Sequence, residues 1–411
     1  MKIAFVHDNP PARGFAGATN STYDLALGMQ KAGHDVTIIT TCRDAGEAGE
    51  STFLGMRVFT IASDYSGKWR SYVSLYNRPV IRRVKSILEE IKPDIVHINN
   101  IHFYLSYHIL KVAKRYAGSV VMTFRDVMPF NFAKLTTKRY LEHFDYHTTW
   151  LDHLEQAGKR WNPIRNFCIR RYVRFPDKLF AVSGALRDAL AANGIPGVTV
   201  VHTGADIADW QVEPAETARR KASFGVENQK VILFSGRLSD AKGGRPLLEA
   251  MITIAAAVPD AVLLVVAKDD AHTEVLKQRA SALGIGNRLQ VTGWIDSRDM
   301  KYAYACADVV VVPSICFDSF PRVVLEAMAS GKPVIGTCFG GAREIIQDDE
   351  TGYVVNPLHP DEIAEKAIEL LQNLEKRERF GHAGRERVKK EFSLEKSIEA
   401  YLSWYKRLLK V

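Results

Sequence analysis

Two short stretches in the second half of the chain combine residue types able to hold a phosphorylated ligand. Gly236-Arg237-Leu238 follows an apolar run at 231–235, and Lys242-Gly243-Gly244 stands five residues beyond the arginine. Arginine offers a planar fork of donors and lysine a point charge, both suited to phosphate oxygens. Glycines at the start of a helix leave unpaired backbone N–H groups open to an anion. The spacing reads as a diphosphate clamp, with a solvated basic turn as the plain alternative.

A second stretch runs from Pro313 to Val334. Its pattern is a strand ending at Pro313 and a helix starting near Phe320-Pro321. Asp318 or Ser319 then lies in reach of the helix's first N–H groups as a cap. Glu326 falls about two turns into the helix, among Leu325, Ala327 and Met328. A carboxylate within an apolar run needs donors, and ribose hydroxyls are good ones. The plain alternatives are a cap for Asp318 and a solvent-facing position for Glu326. Phe339-Gly340-Gly341-Ala342-Arg343-Glu344 is a third loop-to-helix junction of the same kind.

The elements that must position these residues alternate along the chain. Apolar runs at 2–7, 36–40, 95–98, 120–124, 179–182 and 198–202 read as strands, with helices at 19–31, 104–116 and 184–193 between them. A second series has strands at 231–235, 261–267, 288–292, 308–313 and 333–336. Helices near 243–257, 272–283, 297–306 and 320–329 connect them, and 361–411 reads as nearly all helix. Such alternation predicts parallel sheets covered on both faces. The fold expected is therefore α/β, with two Rossmann-like doubly wound domains facing across a cleft. Ligands of such sheets sit beyond the carboxyl ends of the strands. The domains expected are 1–203, 204–390 and a C-terminal helix, 391–411, packing back on the first.

Composition fits this picture. The 411 residues are 46% hydrophobic and 25% charged, enough for cores without staples and unlike a disordered chain. No apolar stretch approaches the roughly 18 residues of a membrane span. The five cysteines Cys42, Cys168, Cys306, Cys316 and Cys338 are odd in number and lack a CxxC. That argues against a disulfide framework or a structural zinc, and for a cytoplasmic setting. The charge is uneven. Residues 1–203 hold 27 Lys+Arg against 17 Asp+Glu, a net of +10, and residues 204–411 hold 28 against 30. The basic half suggests an anionic surface or substrate. No GxGxxG opens the first unit, and no P-loop, HExxH, GxSxG or Asp-x-Asp triplet occurs.

Taken together, Gly236-Arg237, Lys242-Gly243 and the stretch 313–344 resemble family 4 of the retaining glycosyltransferases, which have the two-domain GT-B fold. The resemblance runs over nearly the whole chain. It implies a glycosyltransferase moving a hexosyl group, with retention, from a nucleoside diphosphate sugar such as a UDP- or GDP-sugar to a hydroxyl acceptor. The donor would lie mainly in the second domain and the acceptor in the first. It implies that Arg237 and Lys242 bind the diphosphate, beside Gly236. Asp318 and Glu326 occupy the carboxylate positions of the family's Glu-x7-Glu motif, facing the sugar and the ribose. Backbone groups of Phe320, Arg322 and Val323 would line the phosphate and sugar side, and Gly17 matches the second glycine of the N-terminal loop. Asp94-Ile95-Val96-His97 matches a strand pointing into the cleft. No permanently bound cofactor and no metal is implied.

Three positions depart from the pattern. Asp318 stands where Glu is usual, Ala16 replaces the first loop glycine, and Arg125 stands where a His often precedes Asp126. Arg125 stays charged and cannot act as a base near neutral pH, so within the site it would clamp a phosphate or an acidic sugar. These departures leave a catalytically degenerate carbohydrate-binding protein as one alternative, and a sugar-nucleotide epimerase on a related fold as another. Nucleic acid is not an expected partner, because the aromatics of the basic half form no stacking repeat.

Basic and aromatic residues interleave at 68–92 and 157–178. Lys68, Trp69, Arg70, Tyr72, Leu75 and Tyr76 lead the first group, and Lys159, Arg160, Trp161, Ile164, Phe167 and Ile169 the second. Helices cationic on one side and apolar on the other can lie at a membrane interface. The expectation is peripheral contact with an anionic inner membrane face, for a lipid-linked or surface-polysaccharide acceptor; the alternative is that these helices simply cover the sheet.

Overall fold

Runs such as Val309–Val312, four valines with no exposed face, are stable only inside a sheet covered on both sides. The computed structural model describes residues 1–11, 17–236, 240–267, 270–296 and 299–410, leaving aside the side chain of Asp209. The chain forms two compact units. The first comprises Met1–Thr203 with Leu394–Val411, and the second Gly204–Ser393.

The sheet of the first unit is built from β1 (Lys2–Val6), β2 (Asp35–Cys42), β3 (Gly49–Phe53), β4 (Met56–Ala62), β5 (Ile95–Ile98), β6 (Ser119–Phe124), β7 (Lys178–Ala181) and β8 (Thr199–Val200). Their order is β3-β4-β2-β1-β5-β6-β7-β8. All pairings are parallel except the edge hairpin β3–β4. The strand direction of travel reverses between β1 and β5, which places a switch point at their carboxyl ends. The helix Gly17–Lys31 lays Tyr23, Leu25, Ala26 and Met29 on this sheet. The last helix, Leu394–Leu409, joins the same core through Tyr401 and Tyr405. It approaches the first helix closely at Gly28, where a Cβ would lie 2.2 Å from Ile398 Cδ1.

The second sheet contains β9 (Lys230–Ser235), β10 (Ala261–Val266), β11 (Leu289–Val291), β12 (Val309–Val312), β13 (Val334–Thr337) and β14 (Gly352–Val355). It is parallel throughout, in the order β11-β10-β9-β12-β13-β14. Its switch point lies between β9 and β12. The helices Gly244–Ala257 and Pro360–Gln372 close one face with Leu247, Met251, Ile254, Ile363 and Leu370.

Some expectations need correcting. The hairpin β3–β4 and the strand β14 are additional. Within 391–411 the helix spans Leu394–Leu409, after the helix Leu374–Glu391 and Ser393. The helix Arg78–Ile91 is amphipathic, but Val80, Ile81, Val84, Ile87 and Leu88 are all buried within the first unit. Its apolar stripe covers the sheet and is closed to a membrane. Leu75 and Ile169 are buried too, whereas Trp69, Tyr72, Tyr76, Ile164 and Phe167 are exposed. Among the described residues, no helix is long and apolar enough to cross a membrane.

Candidate functional site

In the second unit three consecutive loops, after β9, β12 and β13, meet at the carboxyl ends of neighbouring strands. After β9 the chain passes Gly236, in the positive-φ region at 140°. Arg237 and Leu238 lie outside the described residues. A short turn, Asp240–Lys242, then leads through Gly243 into the helix Gly244–Ala257. Gly243 has φ 79°, and a Cβ there would sit 1.8 Å from the carbonyl oxygen of Pro313. Only glycine permits that approach of the two loops. The carbonyl of Ala241 accepts the N–H groups of Ile315 (3.1 Å) and Cys316 (3.2 Å), tying the β12 loop to the β9 turn.

This stitching places Asp318 against Lys242. Lys242 Nζ donates to Asp318 Oδ2 in a partly exposed ion pair. The third loop holds Asp318 from behind: the N–H of Gly341 donates to its carbonyl at 2.8 Å. Gly340, at φ 75°, leaves no room for a Cβ, which would lie 2.1 Å from that same carbonyl oxygen. Asp318 is therefore not a helix cap, contrary to the local pattern. The helix runs Arg322–Ala329, with Pro321 at its N-cap and no side-chain cap bond. Phe320 is 7% exposed and its ring packs 5.7 Å from that of Phe392, so its side chain serves the core. Val323 is half-buried.

Glu326 stands one turn into this helix, among buried Val324, Leu325, Ala327 and Met328. Its Oε1 accepts from Arg322 Nε at 3.0 Å, and its Oε2 accepts from Tyr304 Oη at 2.9 Å. The two charged side chains are only 15% and 13% exposed. Burial, then the charge of Glu326, pushes the fully buried Tyr304 phenol well above its ordinary value. Tyr304 is thus held as a neutral donor. The Arg322–Glu326 pair was legible as an i, i+4 spacing. Tyr304, on the helix Met300–Cys306, carried no local signal.

The first unit brings another polar group together at its own switch point. Arg125, directly after β6, donates through Nε to Asn99 Oδ1 at 2.9 Å and through Nη1 to Thr203 Oγ1 at 3.4 Å. Among the described residues, Asn99 Nδ2 and His7 Nε2 are buried without a hydrogen-bond partner. Gly17 is the first residue of the helix Gly17–Lys31, and its carbonyl accepts from Ser21 Oγ at 2.7 Å. Ala16 lies outside the described residues. His97 is fully buried beneath the last helix, with Nδ1 2.5 Å from Tyr405 Oη and Nε2 2.7 Å from Thr123 Oγ1. Asp8, also buried, accepts three backbone N–H groups from Phe103, Tyr104 and Leu105 at 2.7–2.9 Å. Burial nevertheless raises its carboxyl to about 7. Among the described residues, no three His, Cys, Asp or Glu side chains converge as a metal-binding group.

The comparisons with known proteins agree with these two units. Residues 15–209 match the model of Glycosyltransferase Family 4, and residues 216–387 that of Glycosyl transferases group 1. An uncharacterised glycosyltransferase of Methanocaldococcus jannaschii is 25% identical over 99% of this chain and 98% of its own. A GDP-mannose-dependent alpha-(1-6)-phosphatidylinositol monomannoside mannosyltransferase of Mycolicibacterium smegmatis is 28% identical over 57% of this chain and 63% of its own. Two other curated relatives, a spore coat protein SA and a putative glycosyltransferase of Bacillus subtilis, are matched over 58% and 44% of their length. The structure of sucrose-phosphate synthase from Thermosynechococcus elongatus superposes with TM-score 0.80 at 19% identity, covering 100% of this chain and 99% of that one. With both sheets, their strand orders and both family models accounted for, the chain is a GT-B-fold glycosyltransferase related to family 4 and to the glycosyl transferases of group 1.

Proposed function

We propose that the protein transfers a hexosyl group from a nucleoside diphosphate sugar to a hydroxyl acceptor, with retention at the anomeric carbon. The observation that carries this reading is the Lys242–Asp318 pair at the switch point of the second sheet, buttressed by Gly243 and Gly340. Lys242, together with Arg237, neutralises the donor diphosphate. Asp318 faces the sugar, and Glu326, oriented by Tyr304 and Arg322, accepts from the ribose hydroxyls. The bond from C1 to the diphosphate oxygen breaks, the bond from C1 to the acceptor oxygen forms on the same face, and the acceptor proton passes to the leaving diphosphate. Catalysis is then mainly stabilisation of the charge growing on that leaving group.

The acceptor belongs to the first unit, near Gly17 and the Arg125–Asn99 pair, where a fixed cation suits an anionic or phosphate-bearing glycan. A lipid-linked or surface-polysaccharide acceptor at the cytoplasmic membrane face is the class we favour. The +10 balance of residues 1–203 supports it, as does a relative named for a phosphatidylinositol-linked substrate. The test is incubation with a panel of nucleoside diphosphate sugars, with and without lipid-linked glycans. Product mass and the anomeric proton coupling are then read. Sugar transfer with inverted configuration would reject retention, and no acceptor-dependent nucleotide release from any donor would reject the reading as a whole.

A further inference from the structure

The first unit carries an exposed apolar face that its fold does not use. Trp69, Tyr72, Trp150, Leu151, Ile164 and Phe167 are 45–65% exposed, far above what a core-facing side chain shows. They come from three separate segments, yet they belong to one surface. The Tyr72 hydroxyl donates to the Trp161 carbonyl at 3.0 Å, and Asn162 Nδ2 donates to the Ser71 carbonyl at 2.9 Å. Trp69 packs 5.9 Å from Tyr72. Trp150, Trp161, Phe167 and Arg170 line one shallow groove floored by Phe132. The helix Trp150–Ala157 is turned outward: Trp150, Leu151 and Leu154 are exposed, while Ala157 is buried. A face of this composition on a soluble-sized unit marks an interaction site.

Its surroundings select the partner. Arg170 lines the groove, and Lys68, Lys159, Arg160, Arg171 and Arg174 of the same segments are exposed or half-buried. The acids of the same segments are Asp152 and Glu155, and Asp152 is occupied in a capping box with Thr149. Aromatic side chains with a polar tip, set among cations, match the headgroup layer of an anionic bilayer. We infer that this face, made by the segments 67–72 and 150–174, docks the protein peripherally on an anionic phospholipid bilayer. Trp69, Trp150, Ile164 and Phe167 insert among the acyl chains, and the lysines and arginines contact lipid phosphates. The inference gives the membrane-side acceptor of the preceding reading its physical platform, but it concerns binding alone.

Flotation of the full chain, without donor or acceptor, tests it. Vesicles of phosphatidylglycerol with phosphatidylcholine should carry the protein at 50 mM salt, and at least tenfold less at 500 mM. Vesicles of phosphatidylcholine alone should not carry it. Trp150→Ser with Phe167→Ser should cut flotation at least tenfold, and so should Lys159→Glu with Arg171→Glu, each with unchanged far-UV spectrum and Tm. Wild-type protein that fails to float, floats equally on neutral vesicles, or floats undiminished in both variants overturns the proposal. So does a concentration-dependent dimer, seen by sedimentation, that both variants abolish. Wild-type protein that transfers sugar yet fails to float would overturn this inference only, and wild-type flotation without transfer would leave it standing while the enzymatic reading failed.

Discussion

Lys242 and Asp318 form an ion pair although 76 residues separate them, because the loops after β9 and β12 are stitched together at Ala241 and at Gly243. Any donor diphosphate bound by Lys242 must share or replace this partner. Lys242→Ala is expected to lower kcat/KM by about 2–4 kcal/mol of transition-state stabilisation, the scale of a lost oxyanion donor. Combined with Asp318→Ala, the loss should be smaller than the sum of the two, since the two side chains share one ion pair. Steady-state kinetics on the four forms checks both statements. Full additivity would show that the two side chains act independently.

Glu326→Ala is expected to weaken binding of the free nucleoside diphosphate about tenfold or more, whereas Asp318→Ala should act mainly on turnover. Tyr304→Phe removes one of the donors that aim Glu326 and should give an intermediate loss. Titration calorimetry separates the three. An unchanged affinity in Glu326→Ala would remove the ribose assignment.

Gly340→Ala should cost roughly 1–3 kcal/mol of stability, as a residue forced into the positive-φ region against a carbonyl oxygen. Turnover should fall further, because the displaced group is the backbone of Asp318 itself. Thermal melts paired with activity at a temperature well below Tm distinguish the two effects. A variant with a lowered Tm but wild-type kcat would show that Asp318 tolerates the movement.

Stability of the first unit should decline in mild acid. Burial lowers the imidazoles of His7 to about 3 and His102 to about 4, and drives His97 well below its ordinary value. In the unfolded chain all three protonate near 6.5. Each therefore contributes stability above that pH which is lost as pH falls. Asp8 opposes them: its folded value of about 7 is raised, so below pH 7 it is protonated when folded and ionised when unfolded. Between about pH 6 and 5, unfolding takes up a net of about two protons, or roughly 2–3 kcal/mol per pH unit. Denaturant titrations across this range should show stability falling with that slope. A flat profile would mean that the histidines are solvated.

What could be read from the chain itself was the local part. Ile95–Ile98, with all four residues buried, matches its strand residue for residue, because an apolar run flanked by Pro93 and two asparagines has few other fates. The edge strand β3, Gly-Glu-Ser-Thr-Phe, escaped notice because four of its residues are exposed and its hairpin turns on Leu54 and Gly55 in positive φ. Asp318 looked like a cap because it precedes a helix; its true partner, Lys242, is fixed by tertiary register between adjacent strands. The donors on Glu326 divide the same way, with Arg322 one helical turn off and Tyr304 on another helix. The exposed aromatics were legible as residues, but which of them the sheet would consume depended on helix orientation. The helix Arg78–Ile91 turned inward, and Trp150–Ala157 turned outward.

The return of the last helix to the first unit has a consequence for how the chain is made. Residues 204–393 are contiguous and can complete their sheet as soon as they leave the ribosome. The first unit, although its strands are synthesised earlier, lacks Tyr401 and Tyr405 until the helix Leu394–Leu409 emerges, and His97 meets its Tyr405 partner only across 308 positions. Closing so long a loop adds entropy cost slowly with length but delays the step in time. Until residues 394–409 emerge, the sheet surface beneath that helix stays open, and a nascent chain stalled before residue 394 would present Phe180 and its neighbours on β5 to β7 to chaperones and proteases.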